Sequence, residues 1–504
     1  MPVILPVALP LAAACVYALF GWGRVTAWAG ALASAGVLAT AGLLAVRCGT
    51  GTGADDALWG LLRCDALSAW MLIVIGVVAT LAMLASPACL AAEPGEPRAA
   101  RRYGVFTMCF VAAMALAVLA ASLGVLWVAI EATTIVTAFL VGHRRSRKAT
   151  EAAWKYVVIC SVGIALALLG LVLVHYAAIH AGLSPSAGLD WAALAGDAAA
   201  LDPGVLRIAV VLLVFGFGTK AGLAPMHAWL PDAHSQAPAP VSALMSGVLL
   251  SVAFYAILRV KVIADGALGA GFTRALLLVV ALATIAAAAV LLLGQRDYKR
   301  LLAYSSIEHM GLIALGAAIG GALALAAVLL HILGHGLGKS VLFIGSGQIQ
   351  QASGGSQVSA VRGLLARAPV LGGTFGLAVL ALLGLPPFSL FASELGIARA
   401  GFDAGLGWAV APALSLTVVV VAAVARRIGS MLLGEGAGDA APVGVPVGVP
   451  VRVPVRVPVR IPLRVSVAVP LVAGVALCAL LGLAIGPLGP WLDSAAAIAA
   501  GGAR

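Results

Sequence analysis

Apolar residues occupy this chain in long blocks separated by short polar connections. A helix needs about 20 such residues to cross a hydrocarbon core. Fourteen blocks of roughly that length can be marked, at 3–21, 25–46, 65–86, 103–121, 123–142, 153–178, 206–224, 236–260, 271–293, 300–320, 322–349, 368–398, 408–430 and 465–487. The seventh is interrupted by Pro225 and the twelfth by Pro386 and Pro387. Proline lacks an N–H and clashes with the carbonyl four residues back, so both spans are predicted to break in mid-course. The pattern predicts an all-α polytopic membrane protein of about fourteen transmembrane helices.

Composition agrees. The chain has 504 residues, 63% of them hydrophobic and 10% charged, with a mean hydropathy of +1.12. Those values exclude an ordinary globular protein. The net charge of +11 would suggest nucleic acid in a soluble protein, but here the basic residues lie in short loops, where they set topology. Loops after odd-numbered spans hold 20 of the 30 Lys and Arg residues, among them Arg98, Arg101, Arg102, Arg144, Arg145, Arg147, Lys148, Arg296, Lys299 and Arg300. Even-numbered loops and the C-terminus hold eight, including Arg63, Arg259 and Lys261, and Lys220 and Lys339 fall inside spans. The odd loops are therefore expected in the cytoplasm, with both termini on the outer face of the membrane. The seven cysteines show no CxxC or Cys/His ligand spacing, so neither an iron–sulfur cluster nor a disulfide framework is expected. The first apolar block has no basic region before it and reads as a retained span.

The sequence divides into residues 1–102, with three spans and a polar cytoplasmic loop at 87–102; 103–430, with spans 4–13; 431–464, a Pro/Val/Arg linker; and 465–504, with the last span. In the linker proline recurs every fourth residue from 442 to 462, and arginine at 452, 456, 460 and 464. Such spacing forbids helix and favours an extended polyproline II strand. A basic strap against anionic lipid or a partner is one reading, and a tolerated repeat expansion is the other.

Candidate chemistry lies in charges that lipid would reject. Five formal charges sit within spans: Glu131, Lys220, Glu308, Lys339 and Glu394. Each costs roughly 2.5–3.5 kcal/mol at a helix centre and needs a partner or water. Lys220 precedes the break, which Pro225 and Pro231 are expected to make, with His227, Asp232 and His234 around them. Irregular backbone at that depth survives only packed in protein or facing a water-filled cavity, and a charge beside a broken helix is how ion-coupled transporters build sites. The alternative is a kinked helix whose lysine snorkels to the interface. Glu131 and Lys220, on spans 5 and 7, are expected to pair. Five spans on, Glu308 lies on span 10 and Glu394 on the broken span 12, and both breaks read Gly-Leu-x-Pro, GLAP at 222–225 and GLPP at 384–387. That recurrence predicts two inverted five-helix repeats.

His331, His335 and Lys339 recur every fourth residue, which places them on one helical stripe. Histidines that titrate near neutral pH can pass protons along such a stripe. A shared zinc ion and a purely structural role are the competing readings, and no carboxylate or cysteine ligand lies close by in sequence.

Four segments carry a family resemblance: TKAGLAPMHAWLPDAHSQAPAPVSALM, RDYKRLLAYSSIEHMGLI, HILGHGLGKSVLFIGSGQI and LGLPPFSLFASELGI. They resemble the antiporter-like membrane subunits of respiratory complex I, of multi-subunit cation/proton antiporters and of membrane-bound NiFe hydrogenases, over about residues 60–430. SSIEHMG and HSQAPAPVSALMSG are most similar to hydrogenase-4 component F, a subunit of formate-hydrogenlyase-type complexes. The resemblance implies a proton or sodium channel of two half-channels joined by a central line of charged residues. It implies roles for Glu131 and Lys220 on spans 5 and 7, for His331, His335 and Lys339 as the span-11 relay, and for Glu394 as the terminal group. His227, His234 and Glu308 complete the candidate set. One departure stands out: where many members carry Lys or His in span 8, this chain offers only Ser242, Ser246 and Ser251. A serine can order water but cannot hold a proton as a cation. The expected function is ion translocation in a prokaryotic inner (plasma) membrane, driven by electron transfer in peripheral redox subunits, with no flavin, cluster or metal held here. A subunit of a cation/proton antiporter and a non-conducting scaffold are the alternatives.

Overall fold

The structure, a computed structural model, describes residues 2–49, 55–91, 97–185, 187–434, 463–484 and 486–502. Its helices in chain order are α1 (Leu5–Phe20), α2 (Ala29–Gly49), α3 (Ala66–Ala91), α4 (Pro97–Leu119), α5 (Leu123–Val141), α6 (Arg147–His180) and α7 (Trp191–Gly196). There follow α8 (Pro203–Ala221), α9 (Trp229–Gln236), α10 (Ala239–Leu244), a π-helical turn (Met245–Leu249), α11 (Leu250–Leu268), α12 (Ala270–Leu293), α13 (Tyr298–Ile319) and α14 (Gly321–Ser353). The chain closes with α15 (Leu364–Arg367), α16 (Pro369–Leu382), α17 (Ser389–Asp403), α18 (Gly407–Leu433), α19 (Val465–Leu483) and α20 (Gly489–Ala499). A short hairpin, β1 (Asp55–Ala57) with β2 (Leu62–Cys64), joins α2 to α3.

Thirteen helical stretches among the described residues are long and apolar enough to cross a membrane, counting α10 to α11 as one. The remaining predicted span, the twelfth, is the pair α16 and α17, two short helices flanking the Pro386–Pro387 break. The protein is thus an all-α polytopic membrane protein with spans 7 and 12 interrupted. The buried charges and histidines lie mostly on the central helices: α10 to α11, α13 and α14 are almost wholly enclosed, whereas α1, α6 and α18 leave one flank exposed.

Helix ends run beyond the apolar blocks, because polar caps and polar first turns carry no hydrophobic signal. Ser146 accepts the Ala149 N–H at 3.1 Å and starts α6 at Arg147, six residues before the predicted start. Asp297 caps α13 by accepting the N–H groups of Lys299 and Arg300. Pro97 begins α4 and α3 continues through Pro87 to Ala91, so the predicted polar loop at 87–102 and the boundary at 103 give way to longer helices. Proline is readily accommodated in a first helical turn. The predicted linker at 431–464 overlaps α18, which runs to Leu433, and residues 435–462 lie outside the described residues with most of the Pro/Arg repeat. The short α20 leaves no apolar block of membrane length and was not foreseen.

Contacts between loops respect the alternation of faces. Asp232, after span 7, pairs with Lys155 at the start of span 6 and with Arg300 before span 10. Asp297 bridges to Gln357, and Arg362 donates to Ser430. On the opposite face Arg63, after span 2, pairs with Asp190, after span 6, and Leu62 bridges to Ala120, after span 4. Odd connections meet odd and even meet even, as the count of spans requires.

The two breaks share one backbone design. In the first, Gly222 adopts φ +76° and ends α8, the Gly222 N–H bonding to the Thr219 carbonyl and the Leu223 N–H to Gly218. In the second, Gly384 adopts φ +62°, its N–H bonding to Ala381 and the Leu385 N–H to Leu380. This is the left-handed glycine cap that satisfies the last carbonyls of a helix. Pro10, Pro87, Pro412 and Pro470 sit inside helices without ending them. The Gly-Leu-x-Pro sequence, with glycine to cap the preceding helix, therefore marks the breaks better than proline alone. Pro231 is grouped with Pro225 among the prolines expected to break the chain here. It occupies the first turn of α9 instead, where its missing N–H has no intrahelical partner to lose.

Candidate functional site

The predicted charges and histidines fall into three groups. The first surrounds Lys220, fully buried in the last turn of α8. Its ammonium donates to the Tyr156 hydroxyl of α6 and lies 4.5 Å from the centre of that ring. Trp229, at the start of α9, meets the same ring edge-on at 5.0 Å and donates its indole N–H to the Thr219 carbonyl at 2.8 Å. Glu131 does not join this contact. It is half-buried on α5 and accepts from Thr134 at 2.9 Å, while α6 packs against both α5 and α8. The expected Glu131–Lys220 ion pair is replaced by a lysine–tyrosine pair. The sequence could not show this, because charge counting finds carboxylates but overlooks a buried phenol.

The second group lies around the π-helical turn and the end of α9. His234 is buried at the end of α9, stacked 4.9 Å from the Phe343 ring, and neither of its nitrogens has a partner. Ser242 donates to the His234 carbonyl at 3.1 Å, and Ser246, on the π-helical turn, pairs with Ser306 of α13 at 2.7 Å. Close approach of α14 to this turn needs glycine: a Cβ on Gly247 would stand 3.0 Å from the Gly336 carbonyl oxygen. π-Helical turns inside α-helices occur often at functional sites, and the one that carries the span-8 serine was not visible in the sequence. Ser251 is buried without a side-chain partner. His227 stays on the α8–α9 connection, half-buried, with Nδ1 unpartnered, and it joins neither neighbouring group.

The third group is the densest. His331, His335 and Lys339 are all buried on α14, in the predicted single stripe. Lys339 donates to the Leu302 carbonyl at 2.7 Å and to Ser305 at 2.5 Å, both on α13. His331 places one nitrogen 2.9 Å from Ser393 of α17 and the other 3.0 Å from Nδ1 of His309 on α13. The His309 ring lies 5.1 Å from the rings of both His331 and His335, and its Nε2 stands 3.7 Å from Glu308. Glu308 accepts from Thr417 of α18 at 2.9 Å. Glu394 approaches from the second break. A side chain at Gly384 would run into its carboxylate, so glycine is needed there for space as well as for the turn. A cavity of about 10 Å³, room for roughly one water, is lined by Ser305, Glu308, His309, Glu394 and Thr417. His309 was missed as a site residue, although it stands beside Glu308 in the SSIEHMG motif.

Further buried charges lie outside the five foreseen. Lys299, counted as a loop residue, is buried and donates to the Ser235 and Ala237 carbonyls at 3.2 and 3.1 Å. Arg259 is buried on α11 and pairs with Asp65 at 2.7 Å. Lys299 was counted as a loop residue because its apolar block began at 300, whereas α13 begins at Tyr298, and Arg259 was counted with the following loop because its block ended at 260, whereas α11 runs on to Leu268.

Residues 120–420 match a family described as NADH:quinone oxidoreductase/Mrp antiporter, transmembrane, and the chain belongs to that family of antiporter-like membrane subunits. It is 40% identical over 351 residues to a hydrogenase-4 component F homolog of Methylacidiphilum infernorum, covering 69% of this chain and 73% of that protein. Its structure is similar to a chain of the membrane-bound sulfane sulfur reductase, an archaeal respiratory membrane complex, with a TM-score of 0.85 and 25% identity over 99% of this chain and 97% of that one. A chain of the Mrp complex from Dietzia sp. DQ12-45-1b has the same fold, with a TM-score of 0.85 and 24% identity over 99% of this chain and 97% of the other.

Proposed function

We infer that this chain is the proton-translocating subunit of a hydrogenase-4-type or formate-hydrogenlyase-type oxidoreductase, moving ions as partner subunits transfer electrons. The carrying observation is the succession of buried polar side chains through the core of the bundle, from Lys220 through His234 and the Ser246–Ser306 pair to Lys339, His335, His331 and His309, with the half-buried Glu394 at its end. Charges so costly in a membrane are kept where they line an ion pathway. Identity to a hydrogenase-4 component F homolog supports this assembly over the others in the family. Glu131 and Lys220 serve one half-channel, with His227 and His234 beside the first break. Glu308, His331, His335, Lys339 and Glu394 serve the other, and Glu394 is its terminal group beside the second break. The odd-numbered loops face the cytoplasm. Peripheral redox subunits hold the electron carriers.

The test is purification of the native assembly through a tag on this chain. A NiFe catalytic subunit and ferredoxin-like cluster proteins should co-purify. Recovery of a set of small antiporter subunits without redox partners would replace this assignment with a cation/proton antiporter.

A further inference from the structure

The third group has a property that a proton path alone does not require. His309 of α13, His331 of α14 and Glu394 of α17 each offer one ligand atom, and these three atoms lie within 4.8 Å of one another. The ligands come from three different helices, far apart in sequence. Tetrahedral zinc, with bonds of about 2.0–2.2 Å, sets its ligand atoms about 3.4 Å apart. The present spacing therefore needs a contraction of little more than an ångström, within the range of side-chain rotation. Two rings are buried and the carboxylate is half-exposed, which leaves Glu394 as the accessible corner.

A second observation bears on the same point. His335 is fully buried, lies 5.1 Å ring to ring from His309, and has no hydrogen-bond partner on either nitrogen. Buried polar groups are ordinarily paired. An imidazole left over beside two others and a carboxylate is a ready fourth ligand.

We propose that His309, His331 and Glu394, with His335 or water in the fourth position, form a site for a borderline divalent transition metal such as zinc. Imidazole nitrogen and carboxylate oxygen are the donor set such ions accept. The charges around these ligand atoms are mixed. Lys339 lies one turn from His335 on α14 and opposes a dication, while Glu308, 3.7 Å from His309, favours one. Binding takes two or three neutral imidazoles and an ionised Glu394, so any proton on that carboxyl leaves as the metal enters. The bound ion would tie α13, α14 and α17 together and occupy the groups assigned above to the terminal half-channel. Metal binding rests on the geometry alone, and inhibition of transport rests also on the proposed function.

The experiment therefore reads binding and not transport. The full chain, purified alone in detergent, is titrated with cobalt(II), whose visible absorption reports tetrahedral coordination, and then with zinc. The expected result is one cobalt equivalent with intense visible bands, no sulfur charge-transfer band, and displacement by zinc. His309→Gln and Glu394→Gln should each weaken binding at least about tenfold, whereas His180→Gln, on the exposed end of α6, should change nothing. Absence of tetrahedral bands in the unmodified chain overturns the proposal without recourse to any variant. Unchanged binding in both site variants overturns it as well.

Discussion

Lys220 reaches Tyr156 and not Glu131: the ammonium donates to the phenol hydroxyl and lies 4.5 Å from the ring centre. A fully buried lysine with a neutral partner is free to exist in either protonation state, which a lysine locked in an ion pair is not. Arginine stays protonated in proteins. Lys220→Arg should therefore assemble and fail to move protons, losing activity by about a hundredfold or more. Tyr156→Phe keeps the ring and removes only the hydroxyl, so it should lower transport with normal assembly. Proton uptake in vesicles holding the intact complex, supplied with its electron donor, measures both. Near-normal transport by Lys220→Arg would make the lysine a fixed charge.

Glu131→Gln tests whether the more distant carboxylate still matters. Glu131 has no ion pair to Lys220 and acts only through space across α6, so its neutralisation should reduce transport less than Lys220→Arg does. An equal or greater loss would restore the direct coupling that the two charges suggested. The same vesicle assay distinguishes these results.

Much of the architecture is legible in the sequence because lipid leaves few options. Apolar blocks give the spans, and the two Gly-Leu-x-Pro motifs give the breaks at Gly222 and Gly384. The period of four in His331, His335 and Lys339 also survives intact on α14. What escapes is whatever depends on neighbours from other helices. Glu394 meets His331 across 63 positions of chain because α17 folds back onto α14. Sequence distance alone had argued against a carboxylate beside the histidines. Tyr156 and His309 also carried no pattern of their own, one being a neutral phenol in an apolar run and the other overshadowed by Glu308.

Lys339 donates to a carbonyl and a serine of α13, and Glu394 stands beside the second break. Lys339→Met and Glu394→Gln roughly keep side-chain volume, so packing should change little. Both variants should appear in the membrane at normal levels and transport at most about one hundredth as fast. Loss of the whole subunit from the membrane would instead assign these two side chains to helix packing.

Topology can be tested from the loops. With odd connections in the cytoplasm, a single cysteine placed at Ser146 should resist an impermeant thiol reagent in intact cells, and one at Asp197 should react. All native cysteines are free, so the test needs a background with these replaced by serine or alanine. Labelling at Ser146 from outside would invert the orientation while leaving the odd-to-odd and even-to-even contacts as they are.

Arg259 and Asp65 give the clearest stability prediction. Their side chains are almost fully enclosed and meet in a fork of two 2.7 Å contacts. Arg259 also donates to Tyr255 at 3.0 Å and Ser68 at 3.1 Å, and its guanidinium lies 3.9 Å from the Trp191 ring centre. Tyr255 in turn donates to the Val118 carbonyl at 2.8 Å. One arginine thus joins α11 to α3 and α7, and through Tyr255 to α4. Removing one member of a buried pair leaves the other charge uncompensated, at a cost of about 3–5 kcal/mol. Arg259→Met should accordingly lower the unfolding temperature of the purified chain in detergent by a clear margin. Asp65→Asn should do so less, because the neutral amide can still accept from the guanidinium. The double variant should be more stable than the sum of the two losses predicts, because the second substitution removes the charge that the first one stranded. Strict additivity of the two losses would mean that each residue is held by its other neighbours and that the fork between them contributes nothing.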